Sequence, residues 1–578
     1  MKTNEFVELG KRFSTWDGAE LFYRAWLPPR RAQKALILIH RGHEHSGRWQ
    51  EVVEELGLED VAVFAWDARG HGESPGERGT AENVMALEQD LDAFVRHVSE
   101  TNGIPIRDMI VMAHSVGAVV AAGWVHDFAP PIRGLILATP AFRVKLYVPF
   151  AIPLLRLKEK LFGPGYVKSY VKARVLTRDP DQAEQYTADQ KIFRQISVKM
   201  LLDLFDTSTR LIADAGAITA PVLMLSAGSD WVVKLGAQKK FFDGLSSAIK
   251  GMEVFPNTYH AVFHEKNRGE IIARAKRFIL DRFAEEPRPV PLLSADERGY
   301  TKREFDRLRA PGNPIFAFVR AGMKTVGRLS DGVKLGLKDG FDSGVTLDYV
   351  YRNRPSGRTV LGRAIDRGYL ESVGWRGIRQ RKIHLEKILE RAMRNVSSSG
   401  QPVHIVDIAA GGGRYVLETM SRVKNMTATA VLRDYKPVNV DAAAKLAGRL
   451  GLEERVTVAL GDAFDRADLS RLEPRPTIAV VSGLYELFPS NTPVVESLRG
   501  LAEAVPVGGY LIYTNQPWHP QVEFIARVLT NREGEPWIMR RRTQAEMDQL
   551  VAGAGFEKLA MEIDRWGIFT VSLARRIS

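Results

Sequence analysis

The chain has 578 residues, with 81 Lys and Arg against 69 Asp and Glu and a formal net charge of +12. This length predicts two or more domains, each with its own core. The absence of cysteine excludes disulfides, thiolate metal sites and cysteine nucleophiles. The N-terminal sequence MKTNEFVELG lacks the apolar centre of a secretion signal, and no apolar run is long enough to cross a bilayer, so we expect a cytoplasmic protein.

The first half of the chain alternates buried strands with helices. Helical spacing of apolar residues over 84–99 predicts a helix between two of the strands. This alternation predicts an α/β fold, in which a mostly parallel sheet is covered by helices on both faces. The predicted strands are 35–41, 61–67, 109–113, 134–138 and 221–226.

Residues 145–215 interrupt this alternation. Their sequence is mostly helical in pattern, apolar and basic, as in KLYVPFAIPLLRLKEKLF. An insertion at this point of a parallel sheet lies over the carboxyl ends of the strands, where ligands bind in such folds.

A serine follows one of the predicted strands. Ser115 stands in AHSVG, directly after strand 109–113, and its small neighbours fit a tight strand-to-helix turn that exposes a nucleophilic hydroxyl. Asp230 follows strand 221–226 and His260 follows the short strand MEVF, which gives the chain order Ser, Asp, His of this fold. The three residues therefore predict a hydrolase with a histidine base and an orienting carboxylate.

Longer stretches of residues 1–285 carry a family resemblance. LIHRGHEHSGRW, DARGHGESPGERG, AHSVGA, LTRDPDQAEQY, GSDWVV and YHAVFHEKNR resemble the monoglyceride lipase and lysophospholipase branch of the α/β-hydrolase family, of the serine aminopeptidase S33 type. The resemblance implies an acyl-ester substrate, such as a (lyso)lipid or monoacylglycerol, and a helical lid at about 141–215. The residue roles that it implies are Ser115 as nucleophile, Asp230 as orienting acid, His260 as base, and the backbone N–H groups of Gly42 and Val116 as oxyanion hole.

The loop that carries Gly42 departs from the family pattern. The family has glycine where this chain has Arg41, and position 43 is His instead of the usual Gly. A side chain at these places alters the conformations open to the loop. This leaves an alternative in which the hydrolase domain is catalytically impaired and serves in lipid binding or docking. The nearby His40, His43 and His45 show no acidic partner, and we expect no metal there.

The middle of the chain holds nearly all of the net charge. The proline-rich segment at 286–310 predicts a linker. Residues 301–400 contain 21 Lys and Arg against 10 Asp and Glu, which favours an anionic partner such as phospholipid headgroups, nucleic acid or an acidic substrate. We interpret 311–400 as a basic amphipathic region that bridges the domains or builds an acceptor pocket, although a solvated basic surface gives the same composition.

Residues 401–578 resume the alternation of strands and helices with VHIVDIA, ATAVLRD, VTVALGD, TIAVVSG and GYLIYTN. After the first strand, Asp407 is followed by Ala409 and by three glycines at 411–413, a loop that lets a backbone approach a cofactor. The G-x-G-x-x-G spacing of a dinucleotide loop is absent. Asp434 ends the next strand, where a carboxylate can accept from ribose hydroxyls, and Asp462 ends the third.

This order resembles the class I S-adenosylmethionine-dependent methyltransferases, which have a Rossmann-like fold. The resemblance implies S-adenosyl-L-methionine as cofactor and a role for Tyr485 and Glu486, after the fourth strand, in contacting the methyl acceptor or removing its proton. No Asn/Asp-Pro-Pro-aromatic motif is present, so nucleic-acid bases are disfavoured as acceptors. The cofactor-binding residues that it implies are Asp407, Ala409, Gly411, Gly412, Gly413, Asp434, Asp462 and Ala463.

The sequence thus predicts a bifunctional enzyme, a serine ester hydrolase fused to a methyltransferase that acts on a small molecule or lipid. The alternative is an active methyltransferase with an impaired hydrolase domain. The basic region favours peripheral contact with the anionic inner face of the membrane. The identity of the ester, that of the methyl acceptor and the oligomeric state are not determined by the sequence.

Overall fold

A computed structural model describes residues 7–423 and 426–578. The chain forms two compact units, of which the first ends at Val290 and the second begins at Pro291. Each contains a largely parallel sheet with helices on its faces, so the predicted α/β class is confirmed for both.

The first unit is built on an eight-stranded sheet of order β1-β2-β4-β3-β5-β6-β9-β10. From β4 to β10 all pairs are parallel, which places the carboxyl ends of these strands along one edge. The strands are β1 Val7–Ser14, β2 Glu20–Leu27, β3 Lys34–Ile39, β4 Val61–Trp66, β5 Met109–His114, β6 Gly134–Ala138, β7 Tyr166–Lys168, β8 Gln195–Ser197, β9 Val222–Ala227 and β10 Lys250–Phe255. The helices are α1 Gln50–Leu56, α2 Val84–Asn102, α3 Val116–Phe128, α4 Ala151–Phe162, α5 Ala173–Leu176, α6 Pro180–Ala188, α7 Val198–Ala213, α8 Leu235–Gly244 and α9 Arg268–Ala284.

The sequence did not predict two features of this unit, a hairpin at the edge of the sheet and a small pair of strands within the insertion. The hairpin β1–β2 adds two antiparallel strands at the edge beside β4. The insertion between β6 and β9 contains α4 to α7 and a small antiparallel pair, β7–β8. Helix α7 is fixed to α3 by a buried ion pair between Arg210 and Asp127. The insertion is therefore anchored on the helix that follows Ser115.

The second unit has a seven-stranded sheet of order β13-β12-β11-β14-β15-β17-β16. The pairs from β13 to β15 are parallel, whereas β17 is antiparallel to both β15 and β16. The strands are β11 Val403–Asp407, β12 Ala428–Asp434, β13 Val456–Leu460, β14 Ile478–Val481, β15 Tyr510–Asn515, β16 Phe556–Ile563 and β17 Thr570–Arg576. The helices are α10 Tyr300–Arg309, α11 Ile315–Lys324, α12 Asp331–Asp339, α13 Gly344–Arg352, α14 Val360–Leu370, α15 Val373–Ser398, α16 Arg414–Arg422, α17 Pro437–Arg449, α18 Arg466–Leu469, α19 Asn491–Ala504, α20 Val522–Val528 and α21 Gln544–Gly553.

The basic region ahead of the glycine loop folds as helices α10 to α15 within this second unit. A core cluster joins these helices to the segment after β15, with Trp375 and Ile378 packed beside Ile525, Leu529 and Phe569. These helices therefore form a wall next to the carboxyl ends of β14 and β15.

Within the described part of the chain, none of the helices combines the length and the apolar character needed to span a membrane.

Candidate active sites

Ser115 occupies a strained turn between β5 and α3. Its backbone has φ 56° and ψ −114°, a left-handed conformation that costs a non-glycine residue free energy. A Cβ atom on Gly117 would lie 2.3 Å from the carbonyl oxygen of His40, so only glycine lets α3 approach this loop so closely. The turn lifts the serine hydroxyl to the carboxyl edge of the sheet.

The three residues of the predicted hydrolase site come together at this edge. Nε2 of His260 lies 2.8 Å from Oγ of Ser115, and Nδ1 lies 2.8 Å from Oδ2 of Asp230. All three are buried, and Oδ1 of Asp230 accepts from the N–H groups of Val232 and Val233. Burial opposes ionisation of Asp230, but His260 and the two N–H groups outweigh it and hold its pKa below the ordinary value.

Two further residues position the histidine. A ring nitrogen of His114 lies 3.0 Å from the carbonyl oxygen of His260, and the hydroxyl of Thr139 donates to the same oxygen at 3.1 Å. His114 is the residue before Ser115, whereas Thr139 follows β6. Sequence reasoning assigned neither of them a role, because a residue that holds a backbone carbonyl leaves no motif.

The loop after β3 accommodates its unusual residues. Arg41 is buried, its Nε lies 2.8 Å from Oε2 of Glu44, and its guanidinium is 5.0 Å from the ring centre of Tyr186. The left-handed residue of the loop is His43, with φ 73°, whereas Arg41 has no positive φ. The side chain of Arg41 is thus paired and enclosed without backbone strain at its own position.

Gly42 and Val116 both line the cavity that contains Ser115 and His260. A Cβ atom on Gly42 would approach Cγ2 of Val116 to 3.0 Å, which shows how closely the loop packs on the start of α3. The N–H of a first helical residue such as Val116 has no partner within its own helix. The arrangement therefore leaves the two predicted oxyanion residues side by side.

The histidines of this loop have partners within the fold. Nε2 of His40 accepts from the N–H of Ala68 at 3.0 Å. Nε2 of His45 lies 2.8 Å from Oδ2 of Asp189, an acidic partner from the insertion that the sequence did not reveal. Over residues 7–423 and 426–578, no three His, Asp or Glu side chains gather in a way that could hold a metal ion.

The hydrolase cavity has a volume of about 140 Å³ and an apolar wall. Part of this wall comes from the insertion between β6 and β9, which contributes apolar side chains beside Ser115. Such a cavity favours an acyl chain over a charged group. The insertion residues in the wall include Val144, Val171, Ile196, Met200, Leu201 and Leu204.

The glycine loop of the second unit joins β11 to α16. Gly411 and Gly413 have positive φ values of 55° and 66°. A Cβ atom on Gly411 or Gly412 would meet nothing within 4 Å, whereas one on Gly413 would lie 2.6 Å from Cδ1 of Leu432. Gly413 is therefore required by packing, and Gly411 and Gly412 border open space that a ligand can enter.

Carboxylates at the ends of β11 and β12 hold this loop through hydrogen bonds to its backbone. Oδ2 of Asp434 accepts from the N–H of Gly411 at 3.0 Å, and Oδ1 accepts from the backbone N–H of Lys436 and from Nδ2 of Asn439. Oδ1 of Asp407 accepts from the N–H of Ala409 at 3.2 Å, and the Tyr415 hydroxyl donates to its other oxygen.

Burial raises the pKa of Asp407 to about 7, although the hydrogen bonds from Tyr415 and Ala409 oppose the increase. Asp462 follows β13, next to β12, and its Oδ1 accepts from the N–H of Phe464 at 2.9 Å, with Ala463 buried between them. The predicted cofactor residues thus share one edge of the sheet.

The two acceptor-site candidates have different surroundings. Tyr485 is packed in a hydrophobic cluster, its hydroxyl donates to Oγ of Ser497 at 2.9 Å, and it is not part of the lining of the cavity beside Glu486. Glu486 lines a cavity, where Nη1 of Arg381 lies 3.2 Å from its Oε1. Burial raises the pKa of Glu486 and Arg381 reduces that effect.

This second cavity has a volume of about 330 Å³ and lies between the helices of 311–400 and the segment after β15. Besides Glu486, its polar lining includes Arg381, Gln516 and His519, which no sequence motif indicated. Its apolar lining includes Met323, Val333, Leu347, Ile365, Trp375, Ile378, Phe524, Ile525, Leu529, Trp537, Met539 and Phe569.

Comparisons with known proteins agree with two distinct units. A family described as "Putative methyltransferase" matches residues 275–576, and one described as "Serine aminopeptidase, S33" matches residues 30–267. The chain is 47% identical over 573 residues to "Uncharacterized protein YnbC" of Escherichia coli, with 98% of each chain covered.

Further similarities concern the first unit. The chain is 26% identical over 255 residues to "Monoacylglycerol lipase" of Mycolicibacterium smegmatis, which covers 44% of this chain and 90% of that protein. A crystal structure of a monoacylglycerol lipase of Paleococcus ferrophilus has 25% identity and a TM-score of 0.42, and covers 46% of this chain and 99% of that one.

Gly413 and Gly412 provide a matched pair for testing the loop. We expect Gly413→Ala to lower the free energy of unfolding by about 2 kcal/mol, because it adds a left-handed alanine and a clash with Leu432. Gly412→Ala should change it by less than about 0.5 kcal/mol, because its Cβ meets open space. Urea unfolding followed by circular dichroism measures both values, and equal losses in the two variants would contradict the packing role of Gly413.

Proposed function

The chain belongs to the family described as "Putative methyltransferase", and its residues 30–267 match "Serine aminopeptidase, S33". On this basis we propose that it is a bifunctional enzyme. The first unit hydrolyses an acyl ester of the (lyso)lipid or monoacylglycerol class. The second transfers a methyl group from S-adenosyl-L-methionine to a small molecule or lipid.

The contacts of His260 carry the hydrolase proposal, because it lies 2.8 Å from both Ser115 and Asp230. Oγ of Ser115 attacks the ester carbonyl carbon while Nε2 of His260 accepts the hydroxyl proton. Asp230 holds the imidazole in the productive orientation and stabilises its charged form. The C–O bond of the ester then breaks and His260 returns the proton to the leaving alcohol, after which water releases the acyl group from Ser115 by the same steps.

In this proposal the N–H groups of Gly42 and Val116 donate to the negative oxygen of the tetrahedral intermediate. The enclosed, ion-paired Arg41 leaves this pair adjacent, which supports an active hydrolase over the impaired alternative. The apolar wall of the cavity supports an ester with an acyl chain, and the likeness to "Monoacylglycerol lipase" points to the same substrate class.

The open space at Gly411 and Gly412 and the carboxylate of Asp434 carry the cofactor proposal. Gly411 and Gly412 allow the backbone to approach the methionine part of the cofactor, with Asp407, Ala409 and Gly413 shaping the loop. Asp434 accepts from the ribose hydroxyls, while Asp462 and Ala463 contact the adenine. When bound, the sulfonium supplies an electrophilic methyl group. In this proposal Glu486 receives a proton from the acceptor.

We also propose that the protein contacts an anionic membrane surface. Helix α11 buries none of its residues, and Phe318 is 78% exposed and Ile315 58% exposed. Exposed Lys324 and Arg328 follow on the same short segment. A helix that combines exposed apolar side chains with cations suits the interface of an anionic bilayer. In the first unit, α4 similarly exposes three leucines beside lysines.

A fluorophosphonate probe should label the protein at Ser115. We expect Ser115→Ala to abolish labelling and to lower hydrolysis of monoacylglycerols and lysophospholipids by at least about 10³-fold, because no other group supplies the nucleophile. Ser14→Ala, at an exposed position of β1, serves as the control. Labelling that persists in Ser115→Ala would refute the assignment of Ser115 as the nucleophile. Wild-type protein that is labelled but cleaves none of these esters would support the alternative in which the first unit serves in docking.

Calorimetry should detect binding of S-adenosyl-L-methionine to the full chain. We expect Asp434→Ala to weaken binding by about tenfold to a hundredfold, because it removes a charged hydrogen-bond acceptor. Asp441→Ala makes the same change on the exposed face of α17 and should leave the affinity unchanged. An unchanged affinity in Asp434→Ala would contradict its assignment to the cofactor.

Vesicles that contain phosphatidylglycerol should bind the protein more strongly than vesicles of phosphatidylcholine alone. Each cation near such a surface contributes about 1 kcal/mol, so the double variant Lys324→Gln, Arg328→Gln should reduce binding by roughly tenfold or more. Lys445→Gln with Arg471→Gln changes the same charge at exposed positions elsewhere. Co-sedimentation measures the effect, and an equal loss in both double variants would show that the charges of Lys324 and Arg328 have no special role.

A further inference from the structure

The cavity beside Glu486 is an apolar chamber with one polar end. Most of its wall consists of aliphatic and aromatic side chains from α11 to α15 and from the segment 516–539. Its volume of about 330 Å³ suits a small organic molecule better than a few waters. The proposed cofactor residues Gly411, Asp434 and Asp462 are not part of its lining, whereas Gly483 and Glu486 are. These two residues follow β14, which pairs with β11, the strand before the glycine loop.

Three buried polar atoms at this end have no hydrogen-bond partner within the described protein. They are Oε2 of Glu486, Nε2 of Gln516 and Nε of Arg381, on side chains that are each at least nine-tenths buried. Buried polar atoms are nearly always hydrogen-bonded, and leaving one unpaired costs free energy. The hydroxyl of Tyr369 and Nε1 of Trp537, which also line the cavity, lack partners as well. One carboxylate acceptor together with several donors indicates a ligand that both accepts and donates hydrogen bonds.

The polar end carries no net positive charge. Arg381 is the one cationic side chain among the described residues that line the cavity, and Nη1 of Arg381 lies 3.2 Å from Oε1 of Glu486. His519 stays neutral because burial, with a smaller contribution from Arg541, lowers its pKa to about 3. Asp342 also lines the cavity, but Nε of Arg532 lies 3.3 Å from its Oδ2 and compensates its charge. A carboxylate or phosphate buried here would lack a free cation as partner, and an ammonium would be buried beside Arg381.

We propose that this cavity binds an uncharged alcohol with an apolar body and that its hydroxyl oxygen is the atom methylated. This inference rests on the proposed methyltransferase function. A hydroxyl group has one proton and two lone pairs, which match the unpartnered oxygen of Glu486, the unpartnered amide nitrogen of Gln516 and the methyl group. The apolar walls receive the rest of the molecule.

Neighbouring strands place the two polar groups together. Glu486 follows β14 and Gln516 follows β15, and these strands are adjacent and parallel. The N–H of Gly483 donates to Oγ1 of Thr514 at 2.8 Å, which ties the two strand ends to each other. Both groups therefore approach the same end of the cavity from the sheet edge.

The residues present account for every proton and electron pair of the proposed methyl transfer. The hydroxyl proton passes to Oε2 of Glu486, while Nε2 of Gln516 donates to one lone pair of the alcohol oxygen. The other lone pair forms the new C–O bond to the methyl carbon. The C–S bond breaks, and its electron pair stays on the sulfur of S-adenosyl-L-methionine. The products are a methyl ether and a thioether, with one proton on Glu486.

Binding of matched twelve-carbon probes tests the substrate class. Trp375 and Trp537 line the cavity, so tryptophan fluorescence of the full chain reports occupancy. We expect 1-dodecanol to bind at least about tenfold more tightly than dodecanoate or dodecylammonium, because a buried charge would lack a partner. Trp375→Phe should reduce the signal, which separates this cavity from the hydrolase cavity. Equal or tighter binding of a charged probe would overturn the proposal.

Variants test the two polar groups. Gln516→Met should weaken dodecanol binding by about tenfold, the effect of one lost hydrogen bond in a buried site. Glu486→Gln should leave dodecanol affinity within about threefold but lower transfer of labelled methyl to the alcohol by at least about a hundredfold. Glu523→Gln, the same change at an exposed position of α20, should alter neither value.

These measurements distinguish a failure of the alcohol proposal from a failure of the proposed methyltransferase function. An unchanged dodecanol affinity in Gln516→Met, or full methyl transfer by Glu486→Gln, would overturn the inference while binding of S-adenosyl-L-methionine stays intact. If calorimetry detects no such cofactor binding by the wild-type chain, the methyltransferase proposal fails. Tight dodecanol binding in that case would still support the cavity as an alcohol site.

Discussion

Parallel pairing of strands brings the carboxyl ends of each sheet to a common edge, and both candidate sites depend on this constraint. In the first unit β5, β9 and β10 deliver Ser115, Asp230 and His260, which lie up to 145 positions apart in the chain. In the second unit β11 and β12 deliver the glycine loop and Asp434 in the same way. Hydrogen bonding between strands fixes their register, so these side chains meet without long, flexible connections.

Close packing of the backbone then determines which groups fit at the carboxyl edge of each sheet. The strained turn at Ser115 and the tight contact of Gly117 with His40 press α3 against the loop after β3, which keeps Gly42 beside Val116. In the second unit, Gly413 packs against Leu432 while its two glycine neighbours border open space. Local strain and small residues thus shape the backbone where a substrate or cofactor must approach.

Segments outside the two sheets supply the apolar walls. The insertion between β6 and β9 lines the hydrolase cavity, and helices α11 to α15 line the cavity beside Glu486. Each wall encloses polar side chains that carry the proposed reactive groups. This arrangement favours molecules with an apolar body and one reacting group. The apolar body then contacts segments that lie outside the two sheets.

The sequence by itself determined the α/β class of both units and the residues that follow their parallel strands. Buried strands leave continuous apolar runs, and candidate catalytic loops such as AHSVG leave short, recognisable spacings. The edge hairpin β1–β2 and the antiparallel strands β16 and β17 were not predicted, because pairing partners depend on the whole sheet. Only the tertiary structure placed Tyr485 in the core and enclosed Arg41 with Glu44. It also gathered Arg381, Glu486 and Gln516 around one cavity, since contacts between distant segments leave no periodic signal in a single chain.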